Sequence, residues 1–341
     1  MKRIATVLIA VVLSLIFQSS RAGEYLKPTF VEQKKYEQLL LEKKFGELDK
    51  AAREAIRQNL MTSEGLPVLD AIYTGTAGCV ARQCQYHGSA DYWINKKKLL
   101  VAWKAHSPKS ITAKIANAMY FLEFGWGMRG AGHASSVTDE QWQLFHESIE
   151  KAKLELLAVR SVGANDPGWY SAMLLVALAQ GWESSDFDKV YSEATTKFPT
   201  YIPFYFTAAN YHSERWYGSR AEFDLYVQRA AQQTNQRLGD SLYARLNWLL
   251  SSNSMFANGQ AEWPRMRKGF ERIVRDYPDA WNLNNFGKFA CMAGDARILP
   301  AIMKKIGGAP IISAWNSQRY YESCLAFADG VDPDFVDNVS F

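Results

Sequence analysis

The sequence lacks a second long apolar run. Beyond residues 4–17, no stretch approaches the about 18 apolar residues that a membrane-spanning helix needs. We therefore expect no membrane insertion of the mature chain. The first run follows two basic residues and ends before Ser-Arg-Ala at residues 20–22, as in a secretory signal peptide cleaved after Ala22. No cysteine follows it directly, so a lipid anchor is not expected, and the sequence predicts a periplasmic or secreted protein.

The chain also lacks an excess of charge of one sign. It has 39 lysines and arginines against 35 aspartates and glutamates, and most of that difference lies in the predicted leader, at Lys2, Arg3 and Arg21. A near-neutral mature chain argues against nucleic acid or an anionic membrane as the main partner. Outside the cytoplasm ATP and NAD are scarce, and we expect no cofactor.

Cysteine is rare, with four residues in the whole chain. In an oxidising compartment an even number suggests two disulfides. Pairing the nearest neighbours would join Cys79 to Cys84 across a glycine-containing loop and Cys291 to Cys324 between neighbouring helices, although the other two pairings stay open. A four-thiolate zinc site is disfavoured because the spacing is unlike common zinc ligand patterns, so no metal is expected. Free thiols are the third alternative.

Common catalytic motifs are absent. None of the five histidines forms an HExxH pair, and Gly-x-Ser-x-Gly does not occur. Glu147-Ser148 is similar to the Glu-Ser pair of soluble lytic transglycosylases, but the Gly-Leu-Met-Gln-type stretch that accompanies that pair is missing. We therefore interpret Glu147 as an ordinary surface acid and assign no catalytic residue.

Helical periodicity dominates what is present. It covers nearly every segment from residue 31 to residue 328, and strand-like alternation is rare. Thr138 and Gln141 predict a capping box, and Asp166-Pro167 predicts another helix start. Ser107-Pro108 predicts a helix from residue 108 to about residue 124. We expect about 12–14 antiparallel helices in a single domain over residues 23–328, after a leader at 1–22 and before a tail at 329–341.

Two segments look like copies of each other. Phe198-Pro199 and Tyr277-Pro278 each place an aromatic-proline corner between two predicted helices. The recurrence of this corner favours helical hairpin units that stack into a superhelix, that is, a tetratricopeptide-like α-solenoid. A single irregular helical bundle is the alternative.

A family resemblance rests on Gly125-Trp126-Gly127-Met128-Arg129-Gly130, with Gly132 and Val137. This stretch, within residues 103–160, resembles an uncharacterised bacterial family known as a domain of unknown function, whose members are built from tetratricopeptide-like helices. Residues 216–219 and 277–295 resemble later turns of the same family. The resemblance implies the helical fold and supplies no activity.

The same glycine-rich stretch is predicted to form an exposed loop. It matches the dinucleotide fingerprint formally, but the preceding segment is helical, so nucleotide binding is not expected. The candidate ligand-binding residues are Glu123, Trp126, Arg129 and His133, together with Trp216. Arg129 could pair with a carboxylate and Trp126 could stack on a ligand. The favoured alternative has Trp126 buried between helices and Arg129 holding helix carbonyls.

These observations predict a non-catalytic module that binds a protein or peptide in the cell envelope. An envelope enzyme acting on peptidoglycan and a glycan-binding protein are the alternatives. Tryptophans that recur near helix junctions could line a groove, although packing is the favoured interpretation: Trp103, Trp126, Trp142, Trp169, Trp182, Trp216, Trp248, Trp263, Trp281 and Trp315. Two acids in one aromatic-lined cleft, one with a raised pKa, would favour the enzyme, and mixed polar anchors would favour a protein partner.

Overall fold

The structure is a computed structural model that describes residues 27–80, 89–130, 132–252 and 254–331. The predicted leader lies outside these residues. Within them the chain forms sixteen α-helices and no strand, which confirms the predicted all-α class. The helices are α1 (Thr29–Leu41), α2 (Phe45–Gln58), α3 (Val68–Ala77), α4 (Ser89–His106), α5 (Ile111–Arg129), α6 (Asp139–Leu157), α7 (Arg160–Gly163), α8 (Pro167–Gln180), α9 (Ser184–Lys197), α10 (Ile202–Tyr211), α11 (Arg220–Leu238), α12 (Ser241–Leu249), α13 (Trp263–Asp276), α14 (Ala280–Met292), α15 (Leu299–Ile306) and α16 (Gln318–Ala328).

Two of these helices, α3 and α7, are additional to those that periodicity predicts. Eight of the ten residues of α3 are buried, and the helix packs against α1, α2 and α5. A helix covered on most of its sides has no single apolar stripe, so the usual amphipathic pattern is missing. Helix α7 is one turn long, too short to show a period.

The start of α5 differs from the prediction. Ser107 and Pro108 lie in a turn, and the cap is Ser110, whose Oγ accepts a hydrogen bond from the Ala113 amide at 3.0 Å. The turn is closed by a bond from the Ser110 amide to the Ser107 carbonyl oxygen at 2.9 Å. A serine three residues further along therefore satisfies one of the free amides of the first helical turn.

The predicted glycine-rich loop is also corrected at its beginning, because α5 continues to Arg129. Gly125 and Gly127 are helical, and only Gly130, with φ of 75°, ends the helix. A Cβ at Gly125 would stand 3.1 Å from the Cβ of Ser148 on α6. Close packing of two helices thus compensates for the cost of glycine inside a helix.

Other helix signals are confirmed where they were predicted. The Thr138 hydroxyl accepts from the Gln141 amide at 3.3 Å, and the Gln141 side chain accepts from the Thr138 amide at 2.9 Å. Asp166 accepts from the Gly168 amide at 2.7 Å and Pro167 begins α8. Local hydrogen bonding sets both helix starts.

Helices pack mainly against their chain neighbours, and α3, α5, α8, α10 and α12 also contact one another in that order. This arrangement is compatible with the predicted superhelical stack. A second contact joins the α2–α3 loop to α12 and the start of α14. Ser63 Oγ donates to Asp279 at 2.5 Å, and Arg245 donates to the Glu64 carbonyl oxygen at 2.7 Å. A loop near the beginning of the described chain therefore contacts helices near its end.

The Cys291–Cys324 pairing is confirmed. The disulfide links α14 to α16, with Cα atoms 5.7 Å apart. Cys79 is also disulfide-bonded, while its predicted partner Cys84 lies outside the described residues. Among the helices that the structure describes, none combines the length and apolarity required to cross a membrane.

Candidate functional site

Three of the predicted site residues come together in an aromatic cluster. The Trp126 ring meets that of Trp216 edge-on at a centroid distance of 5.5 Å. The Arg129 guanidinium lies 5.9 Å from the Trp126 ring centroid and donates to the carbonyl oxygens of Gly130 and Gly132 at 3.1 and 3.0 Å. Arg129 thus holds two carbonyl groups that directly follow α5, and Trp126 is half-buried. We call Trp126, Arg129 and Trp216 the tryptophan cluster.

The structure places the other two predicted residues elsewhere. His133 is exposed on the loop after α5, where its Nδ1 lies 2.8 Å from Ser135 Oγ. Glu123, one turn before Trp126 on α5, lines a cavity that also contains Asp70 from α3. The five predicted residues therefore do not form one site. Glu123 belongs to a separate cavity, which it shares with Asp70.

The cavity next to Glu123 lies between α3, α5, α8 and α10 and has a volume of about 220 Å³. We call it the acidic pocket. Its lining is largely apolar and holds two carboxyl groups: Leu66, Asp70, Tyr73, Thr74, Met119, Leu122, Glu123, Ser171, Leu175, Pro203, Phe206 and Thr207.

Both carboxyl groups of the pocket are perturbed by their surroundings. Burial raises the pKa of Asp70 to about 6. Burial and the neighbouring charge of Asp70 together raise the pKa of Glu123 to about 6, against the opposing effect of Lys96. Neither carboxylate has a hydrogen bond or ion pair with another residue in the described part of the chain. Both side chains keep partial exposure, because they face the cavity.

Lys96 does not neutralise Glu123 directly. Its ammonium group donates to the Glu37 carboxylate at 3.1 Å and to the carbonyl oxygens of Gly75 and Gly78 at 3.2 and 2.6 Å. An ammonium group has three donors, and these contacts occupy them. Glu123 therefore lies near a cation that is already paired.

A third polar group in the acidic pocket is incompletely satisfied. Ser171 on α8 is 5% exposed, and its Oγ forms no hydrogen bond of standard geometry within the described residues, although its contact with the Tyr201 hydroxyl lowers the pKa of that tyrosine against the larger effect of burial. Asp166 nearby is different, because it accepts from Tyr73 at 2.6 Å and caps α8. Burial raises the pKa of Asp166 to about 6 in spite of those bonds. Asp166 thus has a structural role, whereas Asp70, Glu123 and Ser171 have unused hydrogen-bonding capacity.

A second cavity, of about 440 Å³, opens between α1, α10, α12 and α14. Its wall is rich in aromatic rings, and we call it the aromatic groove: Thr29, Phe30, Gln33, Glu64, Leu66, Phe206, Arg245, Trp248, Leu249, Trp281 and Asn282. Leu66 and Phe206 line both cavities, so the aromatic groove adjoins the acidic pocket.

Five polar side chains belong to the wall of the aromatic groove, and two of them, Arg245 and Asn282, are buried. Arg245 is 6% exposed, and burial lowers the pKa of its guanidinium to about 10. Asn282 donates to the carbonyl oxygens of Glu64 and Tyr277, while its Oδ1 is buried without a partner among the residues described. The groove thus has a cation beside its rings, whereas the Asn282 Oδ1 is buried behind its wall.

Sequence reasoning missed Asp70, Ser171 and Arg245. The signal for Asp70 and Arg245 was a charged residue inside a largely apolar helical stretch, Val-Leu-Asp-Ala-Ile-Tyr for one and Leu-Tyr-Ala-Arg-Leu for the other. A serine on a buried helix carries no comparable signal. No group of three or more potential metal-ligating side chains occurs in the described ranges.

Comparison with known proteins agrees with the resemblance drawn from the sequence. Residues 32–183 match the model of a family described as "Domain of unknown function (DUF4034)". The match includes Asp70, Glu123, Ser171 and the first part of the tryptophan cluster, and it ends before Trp216. No curated protein and no solved structure matches the chain.

Proposed function

We propose that this chain is a secreted or periplasmic, non-catalytic module that binds a peptide segment in the aromatic groove and the acidic pocket. The proposal includes the leader cleaved after Ala22 and a protein or peptide partner in the cell envelope. The observation that carries it is the adjacency of the two cavities, which share Leu66 and Phe206. Together they form a surface long enough to contact more than one residue of a ligand.

The chemistry of that surface suits a peptide better than a uniform polymer. Trp248 and Trp281 provide flat apolar contacts of the kind that anchor side chains in interfaces. Arg245, which is 6% exposed, offers a donor for main-chain carbonyl groups. A few polar groups in an apolar wall fix orientation, which is how binding pockets obtain specificity.

The test is a peptide-display selection on mature chain 23–341, with selected peptides measured by calorimetry. We expect Trp281→Ala to weaken binding about tenfold or more, as for an interface hot spot. Trp182→Ala is the matched control, because Trp182 is also half-buried and lines neither cavity. The proposal fails if no peptide binds, or if Trp281→Ala binds as the wild type does.

The tryptophan cluster is a competing location for the same function. Its rings are half-buried, and the Arg129 guanidinium lies over the Trp126 ring. The variant Trp126→Ala, measured with the same peptides, separates the two locations. Loss of binding in Trp126→Ala but not in Trp281→Ala would move the site to the tryptophan cluster.

Cleavage of cell-wall glycan is a second candidate function. The observation that favours it is the pair of carboxyl groups in one cavity, Asp70 and Glu123, with pKa values raised to about 6. Glycoside hydrolysis uses two carboxyl groups, one of which must be protonated to act as an acid. Release of reducing ends from purified glycan strands, abolished by Asp70→Asn and by Glu123→Gln, would establish an enzyme. Absence of release by the wild type would dismiss this candidate.

A further inference from the structure

We propose that Asp70, Glu123 and Ser171 form a receptor for a primary ammonium group, such as a lysine-like side chain or an amino terminus of the bound peptide. This inference rests on the proposed function for the identity of the ligand, but the receptor itself has an independent test. The acidic pocket supplies three acceptors from three helices, α3, α5 and α8. A primary ammonium group donates three hydrogen bonds and accepts none.

Charge complementarity identifies the class of ligand. Two carboxylates share the pocket, and the nearest cation, Lys96, is already paired with Glu37 and two carbonyl groups. The Ser171 hydroxyl is a separate indication, because it forms no hydrogen bond of standard geometry within the described residues and a buried polar atom that is incompletely satisfied is costly. A cation in the pocket would pair with the two carboxylates beside that hydroxyl.

The remaining lining indicates what is attached to the ammonium group. Met119, Leu122 and Leu175 present apolar surface next to the acids, which suits methylene groups. At about 30 Å³ for a water-sized group, a cavity of about 220 Å³ holds roughly seven non-hydrogen atoms. That size matches a short alkylammonium ion of about six carbon atoms.

The first experiment uses n-hexylamine and 1-hexanol as probes, titrated into mature chain 23–341 and followed by ligand-observed NMR. The two probes have the same shape and differ in charge. We expect the amine to bind about tenfold or more tightly, since a hydrogen bond between charged groups contributes that much. Equal affinity for the two probes would overturn the ammonium receptor.

Near-isosteric variants place the binding in the pocket. Asp70→Asn and Glu123→Gln are each expected to weaken n-hexylamine binding about tenfold. Glu147→Gln is the control, because it removes one acid from the solvent-exposed side of α6. Unchanged affinity in folded Asp70→Asn and Glu123→Gln proteins would refute the assignment.

A pH series of the wild-type protein keeps the test valid if a variant does not fold. The amine stays charged from pH 5 to pH 7.5, so its affinity should fall as the pocket carboxyls protonate. The titratable groups that face them are Tyr73 on α3, Tyr92 and Lys96 on α4, and Asp166 and Tyr201 at the starts of α8 and α10. The three tyrosines have pKa values raised well above 10 and stay neutral over this range. Constant amine affinity across the range would contradict the proposal.

Failure of the ammonium receptor and failure of the peptide proposal are distinguishable. If n-hexylamine binds as expected but no displayed peptide does, the receptor stands and the peptide proposal falls. If selected peptides bind equally well before and after acetylation of their amines, peptide binding stands and the receptor falls.

Discussion

Replacing Asp70 by asparagine should stabilise the folded protein at neutral pH while it weakens amine binding. Asp70 is a carboxylate with no hydrogen bond or ion pair in the described part of the chain, and it lies in a pocket with a second acid. Asparagine keeps the size and removes the charge. The opposite effects on stability and binding would mark a group that is present for function rather than for folding.

The magnitude follows from the pKa of Asp70, which burial raises from 3.8 to about 6. A shift of about two units corresponds to a cost of about 3 kcal/mol for the charged form in the folded state. The asparagine amide recovers only part of this, because its own hydrogen bonds are incomplete and cost about 1–2 kcal/mol. We therefore expect a net stabilisation of about 1 kcal/mol at pH 7.5, or about 2 °C in melting temperature.

The sign of the pH dependence makes the argument testable. Because the pKa of Asp70 is higher in the folded than in the unfolded state, the folded state binds more protons between pH 3.8 and pH 6. The cost of the charge is therefore full above pH 6 and absent below pH 3.8. The advantage of Asp70→Asn over wild type should appear as the pH rises through this window.

The assay is urea unfolding followed by tryptophan fluorescence at pH 4, 5, 6 and 7.5, with wild type and Asp70→Asn measured in parallel. Glu147→Gln serves again as the control for loss of an exposed acid. A stabilisation that is equal at pH 4 and pH 7.5 would refute the charge argument. Destabilisation at pH 7.5 would show that Asp70 has a structural partner.

Two further predictions concern the packing that surrounds the site. Replacing Cys291 and Cys324 together by serine removes a cross-link that spans 33 residues. The chain-entropy model gives a loss of about 3–4 kcal/mol in the free energy of unfolding, and unchanged urea unfolding would contradict it. Reducing agent should likewise lower the melting temperature of the wild type. Gly65→Ala should cost more than about 2 kcal/mol, because φ is 77° and a Cβ would lie 2.5 Å from the Tyr277 ring. Gly259→Ala, with φ of 71° and open space around it, should cost only about 1 kcal/mol, and equal losses would dismiss the contact with Tyr277.

The features that could be predicted from the sequence are those that depend on a few consecutive residues. The capping box at Thr138 and Gln141 needs two side chains and two backbone amides, all within one turn. The aromatic-proline corner at Phe198-Pro199 ends α9, because the proline ring fixes φ and proline has no amide hydrogen to continue the helix. Both effects are local to the proline. Such local signals do not depend on tertiary contacts, so the sequence alone is enough to recognise them.

Features that depend on tertiary contacts were missed or misplaced. Gly125 and Gly127 indicated a loop because glycine disfavours helices, but the structure has them in α5. At Gly125 the close approach of α6 decides the outcome, since Ser148 and Phe145 leave little room for a side chain. The helical propensity of a few residues is a weak preference that packing overrides.

The site itself was hidden because its members are distant in sequence. Asp70, Glu123 and Ser171 come from three helices and meet only when α3, α5 and α8 pack together. Among the described residues, these three side chains have no structural role that explains their presence in the pocket. Asp166 has a similarly raised pKa and is more deeply buried than Asp70. It caps a helix and accepts a hydrogen bond from Tyr73, so the fold accounts for its presence. Among the described residues no partner accounts for the charge on Asp70, and an energetic cost without a structural return is the basis on which we propose a ligand there.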